Sequence, residues 1–146
     1  MGGINTGKFL VCGFLAGIVI NCGQTVVHLL LLTEQSAAFM ENMGLPEPTG
    51  WQIGIFWLLS FAVGFAMIFV YAGFRPRFGA GPGTAVLAAA TTFVLAELIP
   101  ALFYIASGAL GFGEYLPFLI STLVILMVAA VVGAWPYSEA EGTSAA

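Results

Sequence analysis

The sequence predicts an all-α membrane protein, four transmembrane helices in a bundle, on three observations. Apolar residues make up 60% of the 146-residue chain and charged ones 7%, with a mean hydropathy of +1.05, a composition from which a soluble fold could not cover its core. Four apolar segments, drawn at about 8–32, 51–73, 84–107 and 115–135, each supply the roughly 20 helical residues that a hydrocarbon core takes. The charges between them alternate in sign: Lys8, Arg75 and Arg77 fall on one side, Glu34, Glu41, Glu47 and Glu114 on the other. Because the segments are continuously apolar, a β-barrel is excluded. One domain over 1–137 and a polar tail over 138–146 follow.

The first segment begins at Lys8 and stays apolar to Leu32, too long for a signal-peptide core and without a small-x-small cleavage site. Positive charge accumulates on cytoplasmic loops, which predicts both termini in the cytoplasm. Trp51, Trp57, Tyr104 and Tyr115 then belt the outer interface, and Tyr71, Trp135 and Tyr137 the inner one. In the outer stretch "TEQSAAFMENMG", Thr33 is placed to cap a helix, Ala37, Met40 and Met43 recur at helical spacing, and Gly44 ends the pattern before Pro46 and Pro48. That spacing predicts a short amphipathic helix on the outer membrane surface.

The first span is unusual for its polar side chains. On a 100° wheel Gly13, Gly17, Asn21, Gln24 and His28 share an arc of roughly 80°. Gly13-xxx-Gly17 is a close-packing signature, and polar groups at depth face other helices, because hydrocarbon offers them no partner. Glu97 is the charged residue deepest in a span. Counting along the helices sets it level with Asn21 and Gln24, so a network of Asn21, Gln24, His28 and Glu97 between spans one and three is expected. Pro100 removes a backbone donor just beyond Glu97 and predicts a kink there. Gly64 in span two and Gly133 in span four mark further packing seams.

These residues support competing functions. Glu97 is either protonated, or hydrogen-bonded to Asn21 and Gln24, and merely fixes helix register, or it is a carboxylate that handles protons or cations. His28, the chain's single histidine, is either an interfacial hydrogen-bonding residue or an axial ligand to a pigment. In "YAGFRPRFGAGPGTA", residues 71–85, Arg75 and Arg77 flank a proline ahead of a glycine-rich helix start, where a lipid phosphate fits. The same arginines also serve simply to fix topology.

Other classes find little support. The chain's net charge of −4 leaves no basic patch for nucleic acid. Cys12 and Cys22 stand about 15 Å apart along one helix, beyond disulfide reach, and no zinc cluster accompanies them. No nucleophile with a base and no paired carboxylates occur at membrane depth, so an enzyme is not expected.

With "YAGFRPRFGAGPGTA", "VVGAWPY" at 131–137 and "AGIVIN" in span one, the chain resembles a bacterial family of small, uncharacterised four-span membrane proteins over most of its length. The resemblance implies the fold and a multi-pass place in the bacterial inner membrane, and no catalytic residue. Where such sequences carry a carboxylate after the asparagine of span one, this chain reads "NCGQ". The leading expectation is an accessory or assembly subunit, or a self-associating bundle, whose partners are lipids and other membrane subunits or copies of itself. An oligomeric transporter using Glu97 and a pigment-binding subunit using His28 are the alternatives, with no other cofactor expected.

Overall fold

The computed structural model describes residues 5–109 and 111–137, so the predicted tail at 138–146 lies outside the described residues. The protein is all-helical, 86% helix, with no strand among the described residues. Four helices are long and apolar enough to cross a membrane: Thr6–Leu30, Gly50–Phe78, Pro82–Ala106 and Phe112–Ala134.

Helix α1, Thr6–Val27, starts where the Asn5 side chain accepts from the Lys8 N–H at 3.1 Å. It runs through a π-helical turn, His28–Leu32, directly into α2, Thr33–Asn42. The helix predicted beyond span one is therefore present, but no turn separates it from the span. Thr33 does not cap it. Its hydroxyl donates back to the His28 and Leu29 carbonyls at 2.8 and 3.3 Å, inside a continuous helix, so the expected N-cap is corrected. Gly44, at φ 63°, does end α2, with the Leu45 N–H bonded to Met40 O and the Gly44 N–H to Glu41 O.

Helix α3, Gly50–Phe78, opens where the Thr49 N–H and hydroxyl both donate to Gln52 Oε1 at 2.8 Å. At 29 residues it measures about 43 Å, more than a ~30 Å hydrocarbon core requires. The surplus carries Arg75, Pro76 and Arg77 as its last turn, helical where the sequence suggested a connecting stretch. Gly79 and Gly81, at φ 82° and 141°, make the tight turn into α4, conformations a side chain would strain. The Thr84 hydroxyl fastens that turn by donating to Gly79 O at 2.8 Å.

The third span is α4, Pro82–Phe93, then a second π-helical turn, Val94–Leu98, then α5, Ile99–Ala106. Pro100 cannot donate an N–H to the turn before it. The helix there is π-wound, with the Ile99 N–H reaching Val94 O. Helix α6, Phe112–Ala134, completes the bundle.

Helices adjacent around the bundle are antiparallel, while the parallel pair α3 and α6 touch across its middle. Helix α1 lies along α3 and α6, while α4 lies along α6 and α3. Helices α3 and α6 thus stand together between α1 and α4, which share at most a grazing contact. The buried residues concentrate toward the end that bears Lys8, Arg75 and Arg77, hereafter the basic end: Cys12 and Ala16, Met67, Ile68 and Tyr71, Ala85, Ala88 and Ala89, Ala129 and Ala130. Most are small, and small side chains are what lets helix backbones approach in a membrane.

Candidate functional site

The glycines of the seam set the geometry. A Cβ on Gly64 would stand 2.7 Å from the Gly17 nitrogen and 2.9 Å from Gly13 O, and one on Gly17 3.0 Å from the Phe61 Cα. A Cβ on Gly133 would stand 2.8 Å from that of Ala16 and 3.1 Å from Cys12 O. Helices α3 and α6 are thereby drawn onto adjoining faces of α1. Phe14 stacks on Phe61 at 5.1 Å between ring centroids beside the first contact.

One turn further along α1, this close approach brings polar side chains within reach of a neighbour. Asn21 Nδ2 donates to Gly17 O in its own helix at 3.0 Å and to Trp57 O of α3 at 3.3 Å. Gln24 Nε2 donates to the Thr122 hydroxyl of α6 at 3.2 Å, and Thr122 is buried. Both partners differ from the expected one. The network of Asn21, Gln24, His28 and Glu97 between spans one and three does not form: among the described residues no hydrogen bond joins the first three to Glu97. The reason is steric, since α3 and α6 meet between α1 and α4. His28 is exposed at the start of its π turn, which places any pigment ligand on the bundle's outer surface.

Glu97 lies in the second π turn, half-buried, between the exposed Leu95 and Ile99. Tyr115 of α6 is close enough to interact with its charge, and Tyr104 with Tyr115. Residue order gives no warning of this Tyr115 neighbourhood, because it depends on the packing of α6.

At the basic end the two arginines part. Arg75 lies over the rings of Tyr71 and Tyr137, its guanidinium carbon 5.9 and 5.2 Å from their centroids, whereas Arg77 lies over Phe78 at 5.8 Å and is exposed. Two positions apart on a helix, they face nearly opposite ways, so they make two sites and not one clamp. Tyr71 and Tyr137 are buried, edge to face at 5.8 Å, so at their end of the bundle they face inward and not outward as a belt would. Their rings are held inside by Arg75, and the Tyr71 hydroxyl accepts from the Gly81 N–H at 3.4 Å. Trp135, by contrast, is exposed. Beside these rings a crevice of about 300 Å³ opens between Gly81, Pro82, Ala134 and Trp135. No family model, curated protein or solved structure matches the chain.

Proposed function

We propose that this is a multi-pass protein of the bacterial inner membrane, with both termini cytoplasmic, acting without chemistry of its own as an accessory or assembly subunit of a larger membrane complex. The observation that carries this reading is the use made of the polar face of span one. Asn21 and Gln24 are committed to Trp57 O and to Thr122, contacts that fix helix register. The resemblance to small four-span bacterial proteins supports the membrane assignment, and the placement of Lys8, Arg75 and Arg77 supports the orientation. Arg77, exposed at the basic end, and the crevice beside Tyr71 suit an anionic lipid headgroup.

Gentle purification of the tagged full chain from native membranes, with mass spectrometry and an absorption spectrum, tests the proposal. Stable co-elution of other membrane proteins is expected. A colourless protein that elutes alone and carries an ion flux in vesicles would overturn it in favour of a transporter, and a coloured one in favour of a pigment subunit.

A further inference from the structure

We infer that Glu97 is the docking point for a transmembrane helix of a different polypeptide, one that presents a lysine or arginine at the same depth. The inference deepens the accessory-subunit reading and rests on it. Glu97 is fifteen residues into the third span and nine short of its end, so about 22 Å and 13 Å separate it from the two ends. That is well inside a ~30 Å core, where a carboxylate is costly and is found paired. Yet it is only half-buried, and the apolar residues around its turn, Val94, Leu95 and Ile99, are exposed.

Among the described residues no cation completes it. The amide donors of span one are bonded to Trp57 O of α3 and to Thr122 of α6. The polar neighbour in electrostatic range, Tyr115, is an uncharged phenol and does not neutralise a carboxylate. Pro100 can give no N–H to the same turn, which leaves that backbone open to a donor from outside.

Charge complementarity decides between a copy of this chain and a stranger. The chain's three basic residues, Lys8, Arg75 and Arg77, all lie at the other end of the bundle. A second copy in the same orientation sets Glu97 against Glu97. An inverted copy would have to place all three cations on the outer side, against the positive-inside bias. The complement must therefore come from another protein, in a helix that covers the exposed side of the π turn.

The test places a photo-crosslinking phenylalanine analogue at Tyr104, exposed two helical turns beyond Glu97, in the full chain in native membranes, with and without Glu97→Gln. A crosslink to a distinct membrane polypeptide is expected, weakened at least five-fold by Glu97→Gln and restored when Glu97→Lys is combined with an acidic residue at the partner's basic position. Crosslinks to a second copy of this chain, or to lipid only, would overturn the inference. So would a partner crosslink that Glu97→Gln leaves unchanged. In each case co-purification of other subunits from the same membranes would leave the accessory reading standing, and its absence would end both. A leucine analogue at Leu58, exposed on α3, serves as the crosslinking control face.

Discussion

The two halves of the bundle are built by different rules. In the basic half, Gly13, Gly17, Gly64 and Gly133 let backbones touch, and the small residues Ala16, Ala85, Ala88, Ala129 and Ala130 are fully or almost fully buried. Both halves carry large side chains outward, Leu10, Phe69 and Trp135 in one and Trp51, Leu58 and Phe103 in the other, but in the opposite half far fewer residues are buried between the helices. That half also holds both π-helical turns, with His28 in one and Glu97 in the other. The difference teaches that close packing and irregular polar backbone are segregated along the bundle. One end fixes the helices, and the other leaves irregular backbone and polar groups where a neighbour can reach them.

The contrast can be broken most directly at Gly64. Gly64→Leu drives a side chain into the Gly13–Gly17 backbone, and overpacking of this kind costs roughly 1–3 kcal/mol or more. Unfolding of the purified protein by denaturing detergent, followed by circular dichroism, should show the folded state shifted or lost. Next comes Thr122→Val, which keeps the volume and removes the acceptor of the Gln24 amide. A loss of about 1 kcal/mol is expected in the same titration, and none after Gln24→Leu has already been made. Asn21→Ala should cost less, about 0.6 kcal/mol, because Trp57 O remains within α3 and Gly17 O within α1. Smallest of all, Leu58→Ala on the exposed face of α3 should stay within about 0.5 kcal/mol. If Leu58→Ala weakened the fold as much as Gly64→Leu, the two halves would not differ and the comparison would fail.

Much of this was legible in the residues. Apolar length marks four helices because hydrocarbon demands it, and glycines spaced by four mark close approach because a missing Cβ has few other uses there. Neighbour choice was not legible. Asn21 and Gln24 stand about 60° apart on the wheel, enough for one to face α3 and the other α6, and a wheel says only that a face points inward. Glu97 stands out in the sequence by its charge, but its separation from Asn21 depends on how α3 and α6 pack between their helices. The π turns left uneven signals: Pro100 announces a backbone fault near Glu97, while the leucine run after His28 announces nothing. Tyr71 and Tyr137 misled because an aromatic near a span end suits an interface and, equally, a buried cation.

The seat of α6 has a consequence for how the chain is made. Ribosomes add about 5–20 residues each second, and Gln24 is separated from Thr122 by 98 residues. The first span therefore waits on the order of 5–20 s for the hydroxyl that will receive its amide. During that interval spans one and three, joined only through α3, stand apart with a gap where the last helix belongs. The fourth span arrives as a keystone, and a nascent chain halted before it exposes an open amide to whatever the insertion machinery offers in its place.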